Sequence, residues 1–576
     1  MFKHFFIKSI LSLFLLLFTG VFSVSQEHFV NDTAMARKYL RERGEVYFSF
    51  SVPTLELRRL SNIVSVDSYS DGRAFANANS EEFELFLREA LEFTVYTPPG
   101  EWYREKRRVE GLWNYYPTYP EYVDMMQSWA DDYPEICEYV DAGATVEGRR
   151  ILFLRITGKK SNNEPKPAFM YSSTMHGDET VGYVLLLRLI EYLLANYSEN
   201  GQVERLLDDI EIWINPLANP DGTYFGGDGN TIVSPKRRNA NNIDLNRNFP
   251  VPGSPDYTKT DREPETAIMM ELIESGQFVL SANLHGGTEV MNYPWDLWGR
   301  RHADDAWFRY ICREYADTAM HYSPPGYMTF LGGVTNGYDW YSVTGSRQDY
   351  VTYFTGGREV TIEISMDKHP PPDSLPGYWD YNVRSLLNYM EQAMFGIRGY
   401  ITDAITGAPV VDARIEIKYH DNDSSQVFSD QSTGWYFRLI NEGTYNMRFS
   451  AEGYNPLIVE DVEVRNRKVT RLDAQMEPVF VKSDITLKEL EKGLSIYPLP
   501  ARDIVNIRID LPRKAPLHID IYDQSGRKLT RIYRGWAVGE PKHISFSTFD
   551  IPGGTYIIRM KYGSSYISRR FIITGW

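Results

Sequence analysis

Hydrophobic rhythm divides the chain into five stretches. The first 25 residues carry Lys3 and Lys8, then a long apolar run, then the small Ser23 and Ser25. That is the layout of a signal peptide cleaved near Ser25. Residues 27–110 alternate as strand (EVYFSFSV), helix (TLELRRLSN), strand (IVSVD), turn, strand (RAFANA), helix (SEEFELFLREAL) and strand (EFTVY). Asn79 and Glu82 stand three apart at the start of the second helix, as a capping pair requires. The order predicts a small ferredoxin-like α+β module. It ends in TPPGEWYREKRRVEG, a Pro/Gly linker with Lys106, Arg107 and Arg108 clustered, expected to be exposed and cleavable. The module is therefore expected to be either a pro-segment released at that linker or a permanent accessory domain.

Residues 113–395 alternate strands and helices, which predicts an α/β domain with a mixed sheet flanked by helices. Its most apolar run, VGYVLLLRLIEYLLANY, is broken by Arg188 and Glu191 and reads as a core helix, not a membrane span. From Gly396 the texture changes to short alternating strands and turns (GYITDAITGAPV, ARIEIKY, GWYFRLI, GTYNMRFS), predicting a β-sandwich over 396–478. A second β-rich block over 490–576 predicts another sandwich.

The 576 residues are 43% hydrophobic, ample for packed cores, and carry a net charge of −16 with no long basic run. Nucleic acid is thereby excluded as the expected partner. Cys137 and Cys312 are the only cysteines, too few for a disulfide scaffold, and are expected as free buried thiols.

Candidate chemistry begins at YSSTMHGDETVGYVLLL, where a strand-like run breaks into the core helix. His176 and Glu179, three apart at that break, can turn imidazole and carboxylate to one point. Such a pair suits zinc, but a catalytic zinc keeps three protein ligands, so a third is needed. Among ten histidines, His285 ends the strand-like FVLSANLH and is followed by Gly286 and Gly287, which permit close approach of backbone or ligand. Between these motifs, SPKRRNANNIDLNRNFP offers Arg237, Asn246 and Arg247, and a guanidinium fork can grip a carboxylate. REVTIEIS sets Glu363 between two isoleucines, either facing solvent or kept for general-base work.

The succession HGDE, NPDG, RRNANNIDLNRNFP, LHGG…NYPWD, RQDY and TIEIS resembles the zinc metallocarboxypeptidases, with greatest similarity to their N/E (regulatory) subfamily. The resemblance covers residues 113–395 and implies a carboxypeptidase-like catalytic domain. Residues 396–478 resemble the transthyretin-like domain that follows the catalytic domain in that subfamily. The last block, opening YPLPARDIVNIRI, is similar to the C-terminal sorting domain of type IX secretion, with Leu499 where that family commonly has Asn. A pro-segment departs from the N/E pattern; the family's digestive branch carries one.

Carried over residue by residue, the resemblance implies one zinc ion on His176, Glu179 and His285, with Asp244 fixing the His176 tautomer. Arg237, with Arg238 beside it, would hold the oxyanion. Asn246, Arg247 and Tyr350 would anchor a peptide's terminal carboxylate, and Glu363 would be the general base. Asp296, eleven positions after His285, would line the pocket for the terminal side chain and favour Lys or Arg; otherwise it is a solvated loop carboxylate. The implied partners are peptide and protein C-termini and the secretion machinery, with no membrane span after signal removal and a secreted or cell-surface location. The alternatives are a catalytically weak peptide-binding module and a cell-wall peptide amidase on the same fold.

Overall fold

The computed structural model describes residues 28–101, 113–159, 164–254, 261–479, 487–511, 514–538, 541–549, 551–563 and 565–574. The signal-like segment 1–25 and the basic cluster Lys106–Arg108 lie outside the described residues.

In the N-terminal module, strands Val46–Ser51, Ser65–Ser70, Arg73–Ala78 and Phe93–Tyr96 alternate with helices Thr54–Leu60 and Ser80–Leu87. The sheet is antiparallel, with Phe93–Tyr96 beside Val46–Ser51, then Arg73–Ala78, then Ser65–Ser70 at the edge. That is the ferredoxin-like order. Phe48, Phe50, Phe83, Phe86 and Phe93 form its core, and Asn79 and Glu82 make the reciprocal cap of the second helix. A further helix, Thr33–Arg43, and a short strand, His28–Val30, precede it. The helix buries Ala36, Tyr39, Leu40 and Arg43, one narrow face at i, i+3, i+4, i+7; Asp32 caps its start and Gly44, at φ +78°, turns the chain out of its end.

The central domain is built on an eight-stranded sheet. Its order runs Val334–Asn336, Thr288–Tyr293, Arg358–Ser365, Phe278–His285, Ala168–Ser173, Glu211–Asn215, Arg150–Ile156, Cys137–Ala144. The four strands from Arg358–Ser365 to Glu211–Asn215 are mutually parallel, with antiparallel neighbours on both sides. Burial on both faces explains their near-continuous apolar sequences. Helix Val181–Ala195 packs on this sheet with eleven of its fifteen residues buried. In such sheets ligands bind beyond the carboxyl ends of the parallel strands, and His176, His285 and Glu363 all lie at or just past those ends.

Residues 396–476 fold as two small sheets facing each other across Ile401, Ile415, Met447 and Phe449. The last block pairs a three-stranded with a four-stranded sheet around Ile507, Ile519, Ile558 and Phe571. The first of these sandwiches is pinned to the central domain through the buried carboxylate of Asp304. Asp304 accepts from Arg358 (2.7 Å), Arg438 (2.7 Å) and His420 (2.8 Å), while Arg438 also reaches Asp421. Cys137 and Cys312 are buried free thiols. Among the described residues no helix is long and apolar enough to cross a membrane.

Candidate metal centre and active-site pocket

Strand Ala168–Ser173 delivers His176 and Glu179 just before the core helix, and Phe278–His285 delivers His285 from the next strand. The parallel register then sets Glu363 directly opposite His285. His176 Nδ1 lies 2.9 Å from Glu179 Oε1, His285 Nδ1 lies 2.8 Å from Glu179 Oε2, and the two Nδ1 atoms are 3.1 Å apart. All three residues are buried. Two imidazole nitrogens turned on each other and on one carboxylate repel or compete unless a cation sits between them. With bonds of about 2.0–2.1 Å to nitrogen and oxygen, such a cation would hold its donors near these separations. The donor set therefore fits zinc.

The surroundings orient these groups. His176 Nε2 lies 3.2 Å from Asp244 Oδ1, and His285 Nε2 lies 2.7 Å from the Asn283 amide, so each outer nitrogen is held. Gly286 N donates to Glu179 Oε2 at 3.2 Å. Burial alone would raise the Glu179 carboxyl, but His176, Lys368 and His285 hold it well below the usual range. Burial lowers His285 to about 4; His176, equally desolvated, is raised by Glu179 and Asp244.

Glu363 is buried, and its Oε2 has no partner among the described residues. Burial first, then the charges of Glu179 and Asp67, push its carboxyl well above the ordinary value. A carboxylate so placed has affinity for a proton and a free acceptor aimed at the pocket.

Arg237 extends alongside. Its Nε donates to Asp244 Oδ2 at 3.0 Å and its Nη1 to Glu179 Oε1 at 3.2 Å. Arg238 turns the other way, to Glu82 and Ser65 of the N-terminal module. The pocket is lined by Asn246, Arg247, Asn292, Asp296 and Tyr341, together with the metal-ligand cluster and Glu363. Asn246 is fixed by accepting from Arg347 N at 3.0 Å. Asp296 is buried, not a solvated loop carboxylate: Oδ1 accepts from Gln348 Nε2 at 3.0 Å. Burial raises its carboxyl to about 6.

One expected residue lies elsewhere. The ring of Tyr350 packs between Phe249 and Phe354, and its hydroxyl donates to Glu274 Oε1 at 2.9 Å, outside the pocket. The helix Arg347–Tyr350 is bonded on both sides, which turns Gln348 towards Asp296 and Tyr350 away. Tyr341 stands in the pocket instead. Sequence reasoning also missed Asp67, Lys368 and Gln348. Lys368, buried, donates to Glu179 Oε1 at 3.1 Å and to Asp67 Oδ1 at 2.5 Å. A lysine directly after an acidic residue in SMDKHPPP reads as surface charge, and only its flanking prolines hinted at a fixed position.

Residues 122–385 match the zinc carboxypeptidase family, 396–477 the carboxypeptidase regulatory-like domain, and 495–574 the secretion system C-terminal sorting domain. Carboxypeptidase D of Mus musculus is 36% identical over 369 residues, which are 62% of this chain and 26% of that protein. The chain thus spans about a quarter of that relative's length. Carboxypeptidase M of Mus musculus is 33% identical over 350 residues, 58% of this chain and 78% of that protein. With the metal-fitting triad, Glu363 facing it and this relationship over most of a full-length relative, the chain belongs to the zinc carboxypeptidase family.

Proposed function

We propose that the protein is an exported metallocarboxypeptidase that hydrolyses single C-terminal residues, preferably Lys or Arg, from peptides and proteins. The observation that carries this is the convergence of the three-ligand cluster, Glu363 and two arginines in one pocket. Zinc held by His176, Glu179 and His285 supplies Lewis acidity to water and to the scissile carbonyl. Glu363 takes the proton from water and delivers it to the leaving amine, a task matched to a carboxylate whose proton affinity burial has raised. Arg237 donates to the carbonyl oxygen as negative charge develops there, and its bond to Asp244 holds it in place beforehand.

Arg247, with Asn246 and the Tyr341 hydroxyl, receives the terminal carboxylate, a group that internal peptide bonds lack. That restricts cleavage to the chain end. Asp296 with Gln348 at the pocket's end favours a cationic side chain and rejects Asp or Glu. The sorting-domain match supports export through that secretion route to the surface or medium.

The test is mass spectrometry of peptides ending in Arg, Lys, Phe and Asp, with the purified protein before and after limited trypsin treatment and with a chelator control. Chelator-sensitive loss of single terminal residues, Arg and Lys first, is expected. Internal cleavage, or no release in either form with zinc supplied, overturns the proposal.

A further inference from the structure

The face of the sheet that carries the site stays polar as it descends into the core. Side chains two apart on a strand point the same way. Ser281, Asn283 and His285 therefore share one face of Phe278–His285, and Glu359, Thr361 and Glu363 share one face of Arg358–Ser365. The parallel register sets them side by side as three rungs: His285 with Glu363, Asn283 with Thr361, Ser281 with Glu359. The next strand adds Ser172 beside Asn283.

Arg347, fully buried, lies against the lower part of this ladder. Its Nε and Nη2 donate to the Glu359 carboxylate at 2.9 and 3.0 Å, and its Nη1 donates to Ser172 Oγ. Ser281 Oγ holds Glu359 from the other side at 2.7 Å. Ser172 Oγ donates in turn to Asn283 Oδ1 at 3.0 Å, and the Asn283 amide nitrogen lies 2.7 Å from His285 Nε2. A hydrogen-bonded path thus runs from Arg347 through two buried side chains to a metal-fitting histidine. The backbone nitrogen of Arg347 meanwhile donates to Asn246 Oδ1 at 3.0 Å.

A buried ion pair adds little stability compared with apolar side chains of the same volume. Its worth here lies in what the guanidinium can hold: a rigid fork reaches a carboxylate and a hydroxyl at once. A guanidinium only donates, so Ser172 accepts from it and keeps its own hydrogen for Asn283.

We infer that Arg347 is a positioning residue: pinned by Glu359, it fixes Ser172 and through it Asn283, which holds the His285 ring, while its backbone holds Asn246. The role towards His285 rests on the three-ligand reading of the metal cluster. Arg347 touches neither metal nor substrate, and acts by removing freedom from the groups that do.

The experiment uses the full chain, stripped of metal and reloaded with Co2+, whose visible absorption reports ligand geometry. Affinity is measured by competition with a chelator, and the unfolding transition by calorimetry. Ser172→Ala cuts the path and leaves the ion pair. Ser281→Ala removes a hydroxyl of the same kind from the other side of Glu359, off the path. Arg347→Met combined with Glu359→Leu replaces the pair by apolar side chains and strands no buried charge. Ser172→Ala and the double variant are expected to bind Co2+ about 10–100-fold more weakly than the parent, with an altered spectrum. Ser281→Ala is expected to bind and absorb as the parent does, although its unfolding transition falls as that of Ser172→Ala does. Affinity that falls equally in both serine variants, or in neither, overturns the inference and leaves the ion pair a purely structural feature. A folded double variant that binds Co2+ like the parent overturns it too. A parent chain that binds no Co2+ overturns the metal reading, and the inference with it.

Discussion

Asp67 and Arg237, 170 positions apart in the chain, meet at 3.0 Å inside a pocket whose other walls come from the central domain. The same guanidinium also holds Asp244 and Glu179, so Arg237 is pre-positioned whether or not Asp67 is there. Neighbouring Arg238 is equally buried but spends its donors on Glu82 and Ser65. The two arginines should therefore separate cleanly. In the trypsin-treated enzyme, Arg237→Lys should lower kcat by about 10²–10³-fold, the cost of losing one donor to a developing oxyanion. Lysine is a point donor and cannot hold Asp244 and a carbonyl oxygen at once. Arg238→Lys should change kcat by less than about threefold, because its guanidinium is turned to Glu82 and Ser65 and away from the pocket. Steady-state kinetics on one Arg-ended peptide decides it; equal losses for both would mean the oxyanion role is misassigned.

Glu363 offers a sharper separation of binding from chemistry. Glu363→Gln removes a charge but not the shape, and Glu363 is not among the metal-fitting residues. Zinc content should stay unchanged while turnover nearly disappears. Retention of more than about a tenth of kcat, a loss under roughly 1.4 kcal/mol, would exclude the general-base role. His176→Ala and His285→Ala should lose zinc and turnover together.

Asp304 is a buried hub between the regulatory-like sandwich and the catalytic sheet, where Arg300–Asp423 and Arg467–Glu391 add more exposed ties. Arg358 begins the strand Arg358–Ser365 that carries Glu363, and Asp304 joins it to Arg438 of the sandwich. Asp304→Asn leaves two buried guanidinium groups with reduced compensation, which costs about 3–5 kcal/mol. The unfolding transition of the central domain should fall by on the order of 10 °C in calorimetry. An unchanged transition would show that the two domains are not coupled through Asp304.

Much of this site is readable along the chain because strand ends carry it. HGDE, LHGG and TIEIS each place a polar group where an apolar run stops, and parallel pairing then brings His285 opposite Glu363. What is not readable depends on register and on long-range packing. IVSVD alternates like any strand; that Asp67 faces the pocket follows from a bulge set by its pairing with Arg73–Ala78. Tyr341 and Tyr350 are chemically alike, and only the hydrogen bonds of helix Arg347–Tyr350 decide that Tyr350 turns to Glu274. The helix Thr33–Arg43 escaped because its buried stripe is narrow, four residues among eleven, and one of them is Arg43.

Selectivity for the terminal side chain should depend on both Asp296 and pH. A charge-assisted contact from Asp296 to a bound Arg or Lys is worth about 2–3 kcal/mol, or roughly 30- to 150-fold in kcat/KM. Asp296→Asn should reduce the Arg-to-Phe ratio by that factor. Gly337→Ala should do the same by another route, since a Cβ there would lie 1.9 Å from Asp296 Oδ1 and push the carboxylate aside. Burial raises the Asp296 carboxyl from 3.8 to about 6, so the free enzyme holds this group protonated between those values. The cation preference is then present above about pH 6 and fades as the pH falls through it. The sign for stability is opposite: a raised carboxyl favours folding most below pH 3.8, and that contribution is lost as the pH rises through about 6. kcat/KM reports the free enzyme, so the measurement is the Arg-to-Phe ratio of kcat/KM across pH 5 to 8, in which groups common to both substrates cancel. A ratio that falls below pH 6 in the parent and is flat and low in Asp296→Asn is expected. A ratio independent of both pH and the mutation would mean that another group selects the side chain.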